Sequence, residues 1–97
     1  MNEIIFKNRY IVYGRVQGVG FRRFALRCAE EYSVGGWVKN RPDGNVEIEA
    51  IGTQAELSGF LEKVAQGSWF SNVEEIEELT SSQVDSASCE FRIIRGF

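Results

Sequence analysis

The sequence predicts an α+β sandwich, in which an antiparallel sheet carries two helices on one face and ends with an extra C-terminal strand. Two stretches place apolar residues at the 3.6-residue period of an amphipathic helix. Five others are rich in β-branched and aromatic residues or alternate between apolar and polar ones. With 97 residues, 43% of them hydrophobic, and a single proline, the chain has the size and composition of one ordered domain over residues 1–97.

The first three elements are predicted to be a strand, a helix and a second strand. "RYIVYGRV", residues 9–16, has the composition of a strand. The helix begins at Phe21, and one face of it holds Phe21, Phe24, Ala25, Cys28, Ala29 and Tyr32. Ser33 and the glycines after it end the helix. "GWVKN", residues 36–40, is the second strand, and we expect Trp37 to lie in the core.

A turn and an alternating strand come next. "RPDGN", residues 41–45, has the proline and the Asp-Gly pair that are typical of a turn. In the following "VEIEAI", apolar residues alternate with acidic ones. We therefore expect Ile48 to face the core, and Glu47 and Glu49 to lie on a solvent-exposed face of the sheet.

A second helix and two strands complete the predicted fold. "TQAE", residues 53–56, is a capping box that opens a helix ending at Gly67. "VEEIEEL", residues 73–79, has a pattern compatible with a helix, but its position makes it the fourth strand. "CEFRII", residues 89–94, is the final strand.

The order β-α-β-β-α-β is that of the ferredoxin-like fold, here followed by the extra strand. A helix joins the first two strands across one sheet, so these strands run in the same direction. Both end at the same edge of the sheet. We therefore expect the glycine-containing segment 14–20 to lie close to "KNR", residues 39–41.

The charge is unevenly distributed along the chain. Residues 1–41 hold eight Lys and Arg against three Glu, whereas residues 42–97 hold three against eleven Asp and Glu. A basic front half on a chain of net charge −3 indicates a local anion site, because nucleic-acid-binding domains are usually basic as a whole. Scattered surface charge is the alternative.

The composition also disfavours several classes of protein. Cys28 and Cys89 are the only cysteines and there is no histidine, so we expect no zinc site. Both cysteines are predicted to be buried thiols in a reducing compartment, with a disulfide as the alternative. No apolar run approaches the ~20 residues of a membrane span, and "MNEIIFKNRY" is too charged for a signal peptide. We expect a cytoplasmic protein with no membrane partner.

The segment before the first helix has the composition of an anion-binding loop. Gly14, Gly18 and Gly20 allow consecutive backbone N–H groups to turn inward, and the helix N-terminus adds further free N–H groups. Arg22 and Arg23 place cations where the helix dipole disfavours them by ~0.3–1 kcal/mol each, unless an anion compensates. A bare strand-to-helix turn is the alternative.

Known phosphate-loop motifs and common catalytic groups are missing here. Gly18-Val19-Gly20 begins a dinucleotide-binding pattern, but Arg23 stands at its third glycine position, and no Gly-Lys-Ser/Thr follows. Residues 14–22 and 37–41 contain no His, Cys, Ser, Asp or Glu, which argues against a covalent nucleophile or a general base. An enzyme would act by positioning, and the amide of Asn40 could orient a water molecule.

Three segments of the chain match one family of enzymes. They are "GRVQGVGFR" (14–22), "GWVKN" (36–40) and "PDGNVEIEAIG" (42–52). They closely resemble acylphosphatases, and the likeness extends over nearly the whole chain. The resemblance implies a monomer that hydrolyses a small acyl phosphate to a carboxylate and inorganic phosphate. It also implies that no metal, cofactor, phosphoenzyme or nucleic acid takes part.

The resemblance assigns roles to particular residues. Arg22 would hold the phosphoryl oxygens and Asn40 the attacking water, whose proton the substrate's own phosphate would accept. The phosphate-binding segment would comprise Gln17, Gly18, Val19, Gly20, Phe21 and Arg22, mainly through backbone amides.

At four positions the residue type is not set by the family motif. Arg23 and Gly20 stand at variable positions, where Arg23 is expected to tune the local field and Gly20 to make the loop more flexible. Trp69 and Phe70 are expected to cover an apolar edge.

Two other functions remain to be considered. One is a non-catalytic phosphate-binding module of the same fold, which would have little use for Asn40 beside the phosphate. The other is an RNA-binding sheet, which Glu47 and Glu49 disfavour because such a face needs stacking aromatics and positive charge.

Overall fold

The computed structural model describes residues 3–95, so the ends of the predicted domain, residues 1–2 and 96–97, lie outside it. Seven elements follow one another in the predicted order, and residues 73–79 belong to a strand and not a helix. The elements are β1 (Ile5–Arg15), α1 (Phe21–Tyr32), β2 (Gly35–Asn40), β3 (Val46–Thr53), α2 (Gln54–Gln66), β4 (Asn72–Val84) and β5 (Phe91–Ile94). The predicted ferredoxin-like fold class is confirmed.

The strands form one sheet in the order β4-β1-β3-β2-β5. β1 and β2 both run antiparallel to β3, which lies between them, so they run parallel to each other and end at the same edge. The extra strand β5 pairs with β2 in the parallel direction, which makes an otherwise antiparallel sheet mixed.

Both helices pack on one face of this sheet and against each other. α1 lies over β2 and β5, and α2 lies over β3 and β4. The core between the layers includes Val12, Val38, Ile48 and Phe60, all fully buried. Neither helix within residues 3–95 is long and apolar enough to span a membrane.

The predicted capping box fixes where α2 begins. The hydroxyl oxygen of Thr53 accepts a hydrogen bond from the backbone N–H of Glu56 at 3.2 Å, and the Glu56 carboxylate accepts one from the Thr53 N–H at 2.9 Å. Two N–H groups that the helix leaves unpaired are thereby satisfied. Gly67 is the C-cap, as predicted.

The second face of the sheet is less exposed than predicted. Glu47 and Glu49 are only 8% and 9% exposed. Arg9 on β1 pairs with both carboxylates, at 3.6 and 3.2 Å, and Arg41 reaches Glu47 at 3.2 Å. The expectation of a solvent-exposed face was wrong at these positions, because long cationic side chains from neighbouring segments cover and neutralise the carboxylates.

Trp37 belongs to this second face and not to the core. It pairs with Glu49 across β2 and β3, whereas its neighbour Val38 faces the helices and is fully buried. The guanidinium of Arg9 and the ammonium of Lys39 lie 5.3 and 5.2 Å from the centre of the Trp37 ring. Cation–π contacts therefore hold the half-buried indole against the sheet.

The two cysteines lie in different environments. Cys28, on the buried face of α1, is a free buried thiol as predicted, but Cys89 is free and exposed. The last strand begins at Phe91 and not, as the sequence had predicted, at Cys89, so Cys89 lies outside the paired residues of the sheet. Burial raises the pKa of the Cys28 thiol, which reduces its thiolate fraction near neutral pH.

We expect a disulfide reagent such as DTNB to modify one thiol rapidly in the folded protein and the second only on unfolding. Cys89 is exposed, whereas Cys28 is protected by burial and by its raised pKa. The Cys89→Ser variant should lose the rapid phase and keep the slow one. Two rapid phases in the wild type, or a rapid phase that survives Cys89→Ser, would contradict this assignment.

Candidate active site

The segment between β1 and α1 is shaped by two glycines in the left-handed region. Gly18 has φ +72° and Gly20 has φ +74°, conformations that residues other than glycine rarely adopt. Gly20 is also the N-cap of α1, and no side chain caps this helix. The loop therefore enters the helix through backbone groups alone.

Several N–H groups of this loop have no protein partner. Within residues 3–95, the N–H groups of Gly18, Val19 and Gly20 donate no hydrogen bond to another backbone group. The first N–H groups of α1 have no intrahelical acceptor by construction. Consecutive free N–H groups at a helix N-terminus are well suited to bind an anion.

A cavity of about 180 Å³ lies where the ends of β1 and β2 meet. The loop glycines Gly18 and Gly20 line it together with Arg22 from the first turn of α1 and Asn40 from the end of β2. The predicted proximity of the two segments is confirmed. The two side chains singled out as catalytic thus face one cavity.

The amide of Asn40 is held at the rim of this cavity. Its backbone lies opposite Val46 in the pairing of β2 with β3. Its side-chain oxygen is buried and has no hydrogen-bond partner within residues 3–95. An unpaired buried acceptor costs ~1–3 kcal/mol, so a ligand or water that donates to it would be favoured.

Phe21 lines the cavity, whereas Val19 does not, and the side chains of both pack against the core. Phe21 is 1% exposed in the core, 5.8 Å from Phe24 between ring centres, and Val19 packs against the same core. Any contact that these residues make with an anion would use the N–H group. Their apolar side chains anchor the loop.

Gln17 uses its side chain to hold the site together. Its amide nitrogen donates to the carbonyl oxygens of Arg41 and Asn45, both at 2.7 Å. These carbonyls belong to the turn between β2 and β3, which follows Asn40 directly. The side chain of Gln17 thus links the glycine loop to the segment that carries Asn40.

Asp43 stabilises the same turn from within. Its carboxylate accepts a hydrogen bond from the backbone N–H of Asn45 and pairs with Arg41, each at 3.0 Å. The N–H of Asn45, followed by the Arg41 side chain, lowers the pKa of Asp43 below its usual value. The turn therefore has a fixed shape against which Gln17 can bind.

Replacing Gln17 with Ala should destabilise the protein. Two part-buried carbonyl groups, each of which also accepts a backbone N–H, would lose their second donor, at a cost of about 1–2 kcal/mol in the free energy of unfolding. Urea unfolding would measure it, with Gln66→Ala, at an exposed position near the end of α2, as the control. A Gln17→Ala change no larger than that of the control would show that these hydrogen bonds add no stability.

Besides the buried Val16, three cavity residues were not anticipated. Arg23 was expected to act only through the local field, and Ile93 and Arg95 come from β5 and the residue after it, yet all three line the cavity. β5 reaches the site by pairing with β2, which is distant in sequence. The basic residues in the C-terminal tail were the only available signal.

Trp69 and Phe70 do not cover an apolar edge, contrary to expectation. They occupy the tip of a turn in which the N–H of Ser71 donates to the carbonyl of Ser68 at 3.2 Å. Their side chains are 96% and 75% exposed. Neither lines the cavity.

Residues 8–93 match the acylphosphatase family model. The chain belongs to the acylphosphatase family. The acylphosphatase of Bacillus licheniformis is 46% identical over 77 residues, which cover 79% of this chain and 86% of that protein. The acylphosphatase of Bacillus subtilis is 49% identical over 77 residues, covering 79% and 85%.

Solved structures of acylphosphatases share the whole fold. The crystal structure of the Bacillus subtilis acylphosphatase has a TM-score of 0.86 at 46% identity, covering 93% of this chain and 99% of that one. An acylphosphatase from Coxiella burnetii has a TM-score of 0.78 at 28% identity and covers 94% of both chains.

Proposed function

We propose that this protein hydrolyses acyl phosphates to a carboxylate and inorganic phosphate, acting as a monomer without a metal, a cofactor or a covalent intermediate. Membership of the acylphosphatase family supports the reaction. The observation that carries the mechanism is that Arg22 and Asn40 line one cavity together with the glycine loop, and that the buried amide oxygen of Asn40 has no hydrogen-bond partner within residues 3–95.

The phosphoryl group of the substrate would occupy the glycine loop. Its oxygens would accept hydrogen bonds from the N–H groups of residues 18–22, and the Arg22 guanidinium would supply the positive charge. Such donors stabilise best the charge that spreads over the equatorial oxygens in the transition state, and a rigid loop needs little reorganisation to provide them.

The attacking water would be held by Asn40. The side-chain oxygen would accept a hydrogen bond from this water, which would satisfy the buried atom and aim the water's lone pair at phosphorus. The bond between phosphorus and the carboxyl oxygen breaks as the water oxygen bonds to phosphorus. Both protons of the water end on the phosphate product, and the carboxylate leaves with the bonding electron pair.

The proton of the water would pass to the substrate and not to the protein. No Asp, Glu, His, Cys or Ser is among the described residues that line the cavity, so a phosphate oxygen is the acceptor that remains. The leaving carboxylate is a weak base, so it departs without a strong general acid. Catalysis would then consist of positioning and electrostatic stabilisation.

Hydrolysis of benzoyl phosphate by the purified protein, in excess EDTA, tests this function. We expect phosphate release well above the rate without protein, unchanged by EDTA and with inorganic phosphate as a competitive inhibitor. Phosphate binding without turnover would replace the hydrolase with a phosphate-binding module. Turnover that EDTA abolishes would refute the metal-free mechanism.

A further inference from the structure

The cavity carries more positive charge than one phosphoryl group requires. Arg22, Arg23 and Arg95 all line it, and no acidic residue does so among residues 3–95. Within the same part of the chain, none of the three forms an ion pair with a carboxylate. Three arginines and a helix N-terminus therefore line one small cavity with no acidic residue of the described chain beside them.

The third of these arginines comes from the extra strand. Lys39 and Ile94 form the last pair between β2 and β5, and the residues that directly follow them, Asn40 and Arg95, both line the cavity. Ile93 and Arg95 are two positions apart in the sequence, and both line the cavity. Arg95 thus approaches the site from the β5 edge, next to Asn40, while Arg22 and Arg23 approach from α1.

One phosphoryl group accounts for only part of this charge. Free N–H groups of the loop and Arg22 already supply the donors that phosphate oxygens need. Like charges at close range repel each other, and cations at a helix N-terminus add to this cost. A phosphoryl group alone would leave part of the repulsion between the arginines uncompensated. A ligand with a second anionic group near Arg95 would reduce it further.

We propose that Arg95, assisted by Arg23, forms a second anionic subsite that selects acyl phosphates bearing a carboxylate or phosphate on the acyl group. The proposal rests on the proposed function, since it defines the substrate class of the same site. Ile93 lines the cavity beside Arg95 and offers apolar contact to the short carbon chain that would join the two anionic groups. Arg95 acts in specificity and takes no part in the bond-breaking step.

Succinyl phosphate and butyryl phosphate separate this subsite from the phosphate site. Both have a four-carbon acyl group, but only succinyl phosphate ends in a carboxylate. For each protein, kcat/KM is measured with both substrates, and the ratio of succinyl to butyryl is compared. The variants are Arg95→Gln and the control Arg92→Gln, which removes an equal charge from β5, three residues earlier in the chain. Arg92 is exposed, opposes Trp37 in the pairing with β2 and pairs with Glu90.

We expect the wild type to prefer succinyl phosphate, mainly through a lower KM. Arg95→Gln should lower the ratio by roughly three- to tenfold, as befits an ion pair at a partly exposed site. Arg92→Gln should leave the ratio unchanged. Three results would overturn the subsite: a wild type without preference for succinyl phosphate, an unchanged preference in Arg95→Gln, or an equal loss of preference in Arg92→Gln. In each case hydrolysis of butyryl phosphate would still support the proposed enzyme. Hydrolysis of neither substrate would overturn the proposed function itself.

Discussion

Replacing Arg22 with Ala should lower kcat/KM for benzoyl phosphate by at least about 10³-fold and weaken inhibition by phosphate in parallel. The guanidinium faces the cavity beside the glycine loop and forms no ion pair within residues 3–95, so its charge is available to the phosphoryl group. Because this charge would act on bound phosphate and on the transition state, both KM and kcat should suffer. Steady-state kinetics and phosphate inhibition would measure the two effects.

Arg27→Ala is the matched control for this variant. Arg27 lies on the same helix, is exposed and does not line the cavity, so its removal takes the same charge from α1 without touching the site. We expect near wild-type kinetics from it. If Arg22→Ala were no worse than Arg27→Ala, the guanidinium would have no part in catalysis.

Replacing Asn40 with Ala should separate binding from chemistry. We expect kcat to fall by about 10²- to 10³-fold, on the scale seen when one preorganised hydrogen-bonding group is removed, while phosphate inhibits as strongly as in the wild type. The amide would act only on the water, and the phosphate ligands of the glycine loop and Arg22 would remain. The kcat value and the inhibition constant for phosphate are the two quantities to compare.

The control for Asn40→Ala is Asn72→Ala, at an exposed position where β4 begins. It tests whether the loss of any surface amide affects turnover. Thermal unfolding of both variants would show whether the fold is preserved. Wild-type kcat in Asn40→Ala, or phosphate inhibition lost together with kcat, would exclude a role confined to water positioning.

Local sequence patterns correctly predicted the features that are formed by residues close together in the sequence. The capping box at Thr53 and the glycine-to-helix junction at Gly20 are formed by residues a few positions apart. The proximity of Asn40 to the glycine loop followed from connectivity, since one helix joins two strands of the same sheet. The direction in which the two strands must run was enough to predict that the segments following them lie close together.

Predictions were wrong where a distant segment decides the environment. Alternation indicated that Glu47 and Glu49 share a face, but not that Arg9 and Arg41 cover it. Trp37 was wrongly predicted to lie in the core, because an alternating pattern does not reveal which face of the sheet the helices cover. Arg95 reaches the cavity through the pairing of β5 with β2, for which the local sequence contains no marker.

The order of the strands in the sheet has a consequence for how the protein folds. β1 lies between β3 and β4, and Ile5 pairs with Val84 near the opposite end of the described chain. Contacts of such long sequence separation slow folding, since a large loop must close before they form. The cavity draws on the β1–α1 loop, α1, the end of β2, and β5 with the residue after it, so it exists only when these distant segments have come together. An anion bound there would stabilise the entire native state against unfolding, and not one part of it.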